Sequence, residues 1–132
     1  MRPVFVDTFY WIARINPRDQ WHQKALELST SLEDALLFTS ESVLIELLNY
    51  FSDYGPEMRG AVAQIVRHIM DDSTTEVVHH RFEEGLTLFK ARLDKSYSMT
   101  DCISMSIMRM IVVTEVLTHD HHFAQEGFIT LL

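Results

Sequence analysis

Four short apolar runs punctuate the chain: PVFVD (Pro3–Asp7), ALLFTS (Ala35–Ser40), TEVVHH (Thr75–His80) and EVLTHD (Glu115–Asp120). Helically spaced segments separate them. A handful of residues suffices for a strand, whereas parallel neighbours need a long crossover, most often a helix. The alternation therefore restricts the chain to an α/β layer with a mainly parallel sheet. FITLL (Phe128–Leu132) is a further strand candidate, so a central sheet of four to five strands flanked by helices is expected.

The helical segments carry their own marks. TFYWIARI follows the first run, with Asp7 or Thr8 as its cap. Trp21, Ala25, Leu28 and Leu32 recur at amphipathic spacing. Ser40 or Ser42 caps a helix expected to reach Tyr54; Gly55-Pro56 then stops it and opens another, with Met58, Ala61, Ile65 and Ile69 on its apolar side. Phe82, Leu86, Phe89 and Leu93 define the apolar stripe expected of the next helix, and Ser98 or Thr100 opens one reaching about Met110. With 132 residues and no repeat or low-complexity tract, residues 1–132 are expected to form a single domain.

Charge narrows the partners. Nineteen acidic residues against 11 Lys plus Arg leave a net charge of −8, which excludes a broad basic surface for duplex nucleic acid. An acidic, cation-filled centre remains open. The lone cysteine, Cys102, permits no internal disulfide and fits a reducing compartment. The first apolar run is broken too early for a signal core, and no stretch approaches the roughly 20 residues of a membrane span. A cytoplasmic protein with no membrane association is expected.

The acids sit at telling places. Asp7 and Asp120 end the first and fourth runs, and strand ends of this kind share one rim of a parallel sheet, where sites form. Either residue taken singly reads as a helix cap. Glu46 lies within the stripe Val43, Glu46, Leu47, Tyr50, and Asp101 heads the stripe that continues through Met105 and Met108. A carboxylate turned toward a core is costly unless paired, protonated or bound to a metal. The four acids thus read as one cluster. Carboxylates this close raise one another's pKa unless a cation neutralises them, and all-oxygen ligands suit Mg²⁺ or Mn²⁺. Such an ion activates water for attack on phosphorus and stabilises the developing charge, so metal-dependent phosphodiester hydrolysis is the simplest chemistry.

VFVDTFYWIA, TSESVLIELLNYF, DKSYSMTDCISMSIM and VLTHDHHFAQEGF, in that order and spacing, resemble the PIN-domain nucleases, and among them the VapC-type toxins of bacterial toxin–antitoxin modules. The resemblance spans nearly the whole chain. It implies a PIN-like fold and a Mg²⁺- or Mn²⁺-dependent endoribonuclease, usually a homodimer, acting on RNA and held inactive by a cognate antitoxin protein. It assigns the catalytic and metal-binding acids to Asp7, Glu46, Asp101 and Asp120, with Thr8, Thr100 and Thr118 at positions where the family tends to place hydroxyls. The acidic net charge departs from what a long RNA track would need.

Other residues have plainer readings. His119, His121 and His122 offer zinc ligands, but no second His or Cys motif supports them, and bystander or supporting roles are expected. His80 is expected to pair with Glu83 or Glu84. Cys102 reads as a small buried thiol, and Met99, Met105, Met108 and Met110 as core or dimer-seam filling. Phe9, Tyr10 and Trp11 read as packing of the first helix, although an exposed ring there can stack a base. Lys95 and Arg14 are the cations best placed by sequence to contact RNA phosphates, ahead of Arg18, Lys90 and Arg92; Asp94 reads as an ion-pair partner. The rival readings are a non-catalytic PIN-like protein- or RNA-binding module, and a phosphatase or phosphoacceptor domain. The common phosphatase pattern wants D-x-D after the first strand, where this chain has Asp7-Thr8-Phe9, and a phosphoacceptor domain needs its aspartate at the end of a central strand, whereas Asp101 is expected in a capped helix.

Overall fold

The computed structural model describes Met1–Leu132. Strands β1 (Pro3–Val6), β2 (Leu36–Ser40), β3 (Thr75–Val78), β4 (Glu115–Leu117) and β5 (Ile129–Thr130) form one five-stranded sheet in the order β3-β2-β1-β4-β5. Every pairing is parallel, with Val4 opposite Leu37, Val6 opposite Leu117, and Val116 opposite Thr130. Between the strands run α1 (Thr8–Ile15), α2 (His22–Ser31), α3 (Glu41–Tyr50), α4 (Pro56–Asp71), α5 (Phe82–Ala91), α6 (Met99–Met110) and the short α7 (His121–Gln125). The α/β layer expected from the alternation of runs is the one observed.

Strand pleating sorts the core into two sides. Val4 and Val6 face a cluster with Tyr10, Ala13, Ala25 and Leu32, beneath α1 and α2. Phe5 faces the opposite way, into Met105, Ile107, Met108 and Phe123. A third cluster, Ile12, Leu44, Leu47, Phe51, Val62 and Val66, ties α1 and α3 to α4. Burial on both faces explains why β1 reads as an unbroken apolar run rather than an alternating one. Each fully buried Val, Leu, Ile, Phe or Met side chain among them contributes roughly 1.5–3 kcal/mol.

The structure moves several expected boundaries and faces. Helix α3 ends at Tyr50, and residues 51–54 form turns; Ser40 is its cap, accepting the Val43 N–H. Strand β3 stops at Val78, and His80 adopts a left-handed φ of 58°. On α4 the buried positions are Val62, Val66 and Ile69, while Ala61 faces solvent. The largest change is on α5, which buries Gly85 and Leu88 and leaves Phe82, Phe89 and Leu93 exposed. The physical reason is close approach. A Cβ on Gly85 would stand 3.1 Å from the Ile103 backbone and collide with its side chain, so α5 turns its slimmest face toward α6. Apolar spacing on α5 alone points to the wrong side.

Candidate active site

The sheet order reverses between β1 and β4. Chain connections leave β1 toward β2 and β3 on one side, while β4 and β5 lie on the other. The crevice at the carboxyl ends of those two strands is where an open parallel sheet places its sites. Asp7 directly follows β1, and Asp120 lies three residues beyond β4 as the cap of α7, accepting the His122 N–H at 3.0 Å. EVLTHD is thus a strand only as far as Leu117. Glu46 enters from α3 and Asp101 from the first turn of α6.

Three of these acids line one cavity of about 340 Å³. Its polar wall is Ser96, Ser98, Asp101, Asp120 and His122; Thr8, Phe9, Ile12, Glu46 and Tyr50 form the other side. No lysine or arginine is among these residues. Asp7 is buried beside the cavity, near enough to Asp101 and Glu46 to feel their charge.

Asp7 occupies a cap position but makes no side-chain cap bond. Instead the Thr118 hydroxyl donates to its Oδ2 at 2.8 Å, while Oδ1 is buried without any partner. Burial pushes the Asp7 carboxyl up to about 7, opposed by the Thr118 hydrogen bond and reinforced by the charges of Asp101 and Glu46. Thr118 also accepts the Asp120 N–H at 3.1 Å, so one buried hydroxyl couples two of the acids. Asp101 does form a cap: its Oδ2 accepts the Ser98 N–H at 3.1 Å, and its own N–H donates to Ser98 Oγ at 3.0 Å. Burial raises its pKa, with Asp120 adding repulsion and the Ser98 and His122 contacts opposing. Glu46 is half-buried at the cavity and forms no ion pair or hydrogen bond within the chain, unlike the salt-bridged rim residue that a helix stripe also allows.

Of the supporting hydroxyls, Thr8 lines the cavity with its buried Oγ1 unpartnered. Thr118 bridges as described, but Thr100 is not among the lining residues and Ser98, not Thr100, caps α6. Neither expected cation reaches the cavity. Arg14 donates to the Tyr10 hydroxyl at 3.0 Å and lines a different cavity, and Lys95 stands 3.8 Å from Asp94. His80 does not meet Glu83 or Glu84; its N–H and the His79 ring both reach Glu41.

His122 is the site residue that sequence reasoning set aside. Its Nδ1 lies 3.3 Å from Asp101 Oδ2 and 3.2 Å from Asp120 Oδ1, so it bridges two acids from different elements. Both partners are acceptors, which places the proton on Nδ1. The signal was present as a histidine two residues after an N-cap Asp, where one helical turn folds the ring back over the cap. Exposed His121 completes a trio with Asp120 and His122 whose ligating atoms lie within 4.8 Å of one another. Cys102 is buried, and its thiol is pushed up to about 11, chiefly by that burial.

The residues fit a hard divalent cation. Apart from the His122 ring, the donors are carboxylate and hydroxyl oxygens; Asp7 Oδ1 and Thr8 Oγ1 are buried and unpaired, and no lysine or arginine lines the cavity to neutralise the acids.

No family model matches the chain. The chain is 31% identical over 130 residues to the 23S rRNA-specific endonuclease VapC20 of Mycobacterium tuberculosis, covering 96% of this chain and 95% of that protein. The crystal structure of M. tuberculosis VapC20, described as a sarcin–ricin loop cleaving toxin, superposes with a TM-score of 0.84 at 26% identity, covering 96% of each chain. FitAcB from Neisseria gonorrhoeae (TM-score 0.65, 12% identity, 98% of this chain and 96% of that one) shares the fold. So does VapBC2 from Rickettsia felis, solved with a promoter DNA fragment (TM-score 0.65, 17% identity, 98% and 97%).

Proposed function

The chain belongs to the VapC-type toxins of the PIN-domain family, and from that premise we propose that it is a divalent-metal-dependent endoribonuclease. The observation that carries the reading is a cavity lined by Glu46, Asp101 and Asp120 and by no lysine or arginine, with Asp7 buried beside it. Asp7, Glu46, Asp101 and Asp120 are the residues that would hold Mg²⁺ or Mn²⁺. The ion supplies charge stabilisation at the phosphodiester and a water nucleophile at neutral pH.

The chain's own groups prepare that chemistry. Thr118 holds Asp7 by one oxygen and leaves Oδ1 without a partner, so that it would be available to hold the ion. Ser98 fixes Asp101 through reciprocal hydrogen bonds, and the α7 amide fixes Asp120. His122, clamped between Asp101 and Asp120, orients both carboxylates as an outer-sphere partner. Thr8 Oγ1 offers a hydrogen bond to a water in the cavity.

The substrate is RNA, the natural partner is a cognate antitoxin protein, and the working form is a cytoplasmic homodimer. A basic antitoxin side chain entering the acidic cavity would block it by replacing the ion's charge. The decisive experiment incubates purified protein with structured RNA in Mn²⁺, in EDTA, and with Asp101→Asn in Mn²⁺. Cleavage in the first alone, together with growth arrest on induction relieved by Asp101→Asn, is expected. Wild-type-level cleavage by Asp101→Asn would sink the carboxylate assignment, and metal-independent cleavage would sink the cofactor. RNA or protein binding without cleavage would favour the non-catalytic module.

A further inference from the structure

Recognition of a polyanion usually rests on Lys and Arg, and here they are committed elsewhere or absent from the cavity. Arg14 is bound to Tyr10, Lys95 faces Asp94, and Arg92 and Arg109 both pair with Glu126. The chain also carries a net charge of −8. Metal-bridged phosphate contacts position a backbone but read no sequence and grip only at the ion. Something else must hold the nucleotide.

The cavity has an aromatic rim. Phe9, in the first turn of α1, lines it and is 38% exposed. Its ring lies 4.5 Å from that of His119, which stacks on Trp21 at 4.8 Å with planes 14° apart. The Lys24 ammonium sits 5.8 Å from the Trp21 ring. The Phe9 ring is tilted 39° to that of His119, so His119 and Trp21 back a partly exposed ring beside the acids, with His119 next to Asp120 in the chain. The cavity volume of about 340 Å³ lies in the range of small-molecule sites, roughly 300–1,000 Å³.

Building on the nuclease reading, we propose that Phe9, backed by His119 and Trp21, is the platform on which an unpaired nucleobase of the RNA substrate stacks. Unpaired bases in loops offer both faces to aromatic side chains, whereas a duplex does not. Stacking at this place sets the adjacent phosphodiester over the carboxylates. Phe9 is thus a substrate-positioning residue that fits single-stranded or loop RNA and rejects continuous helix.

The test uses an RNA loop oligonucleotide carrying 2-aminopurine, whose fluorescence is quenched by stacking, mixed rapidly with protein in Mn²⁺ and read before product forms. Cleavage of the same oligonucleotide yields KM and kcat. Phe9→Leu is expected to weaken the quench-derived Kd about ten-fold, the effect of losing one base–aromatic contact, and to raise KM alike, with kcat falling by less than KM rises. Phe9→Trp restores both. Wild-type Kd and KM in Phe9→Leu, a loss confined to kcat, or failure of Phe9→Trp to restore binding would each overturn the platform. Thermal melts of both variants separate folding loss, which lowers Tm, from loss of stacking, which leaves it unchanged; a Tm loss common to both with binding per folded molecule intact also overturns it. Wild-type quenching without cleavage removes the nuclease reading and keeps the platform; cleavage with quenching insensitive to Phe9 does the reverse; neither signal removes both.

Discussion

Glu126 and Asp7 are both carboxylates taken largely out of water, and the fold treats them oppositely. Glu126 accepts from Arg92 at 2.9 and 3.0 Å and from Tyr97 at 3.0 Å, and it also meets Arg109. The Arg92 hydrogen bond, followed against burial by those of Arg109 and Tyr97, brings its pKa down to about 2. Asp7 has one hydroxyl partner and feels the charges of Asp101 and Glu46, and burial takes it up to about 7. One acid is compensated by the chain itself. The other has only a hydroxyl partner, so on the proposed reading a bound cation would compensate it, and without one protonation relieves the buried charge.

Replacing each acid by its amide sharpens the contrast. Asp7→Asn is expected to lower RNA cleavage by more than about 100-fold, beyond the loss typical of outer-sphere ligand partners. Its metal-free Tm at neutral pH should hold or rise, because an uncompensated buried charge is gone. A clear fall in Tm would make Asp7 structural after all. Next in size is Thr118→Val, which removes the hydroxyl joining Asp7 and Asp120. Cleavage should drop about 10-fold with a higher Mn²⁺ requirement, read by metal titration.

Glu126→Gln should leave metal affinity unchanged and cost about 1–2 kcal/mol, discounted because Arg92 and Arg109 are partly exposed. A denaturant melt measures it. A change in Mn²⁺ requirement instead would erase the division between the two acids. The smallest effect is in the pH dependence of metal-free stability. Glu126, with a depressed folded pKa, contributes stability present above its unfolded value near 4.5 and lost as pH falls toward about 2. Asp7, with a raised folded pKa, contributes stability present below its unfolded 3.8 and lost as pH rises through about 7. Tm should therefore peak in mildly acid solution in EDTA and decline by a few degrees toward neutrality; millimolar Mg²⁺ should flatten that decline. An identical profile with and without Mg²⁺ would contradict cation compensation at Asp7.

Much of what lines the candidate site was legible before the structure. Asp7 and Asp120 stand out because they follow strand runs, and Glu46 and Asp101 because a carboxylate within an apolar stripe needs a reason. His122 was not legible as a site residue, since its importance depends on Asp101, 21 residues away, reaching the other side of its ring. Arg14 and Lys95 do not line the acidic cavity: proximity in sequence to a motif says nothing about which cavity a long flexible side chain enters. The α5 stripe failed because Gly85, which carries no hydrophobic signal, sets the packed face through the closeness of Ile103.

The sequence by itself determined the layer architecture and the identities of the acids, because strand length, helical spacing and the cost of inward-facing charge are local properties of the chain. The tertiary structure decided which charges neutralise one another. Glu126 gained Arg92 and Arg109, while the acids around Asp7 gained no lysine or arginine. Pairing is a matter of a few ångströms between residues far apart in the chain. Coulomb energy and burial act on those distances, and no one-dimensional pattern encodes them.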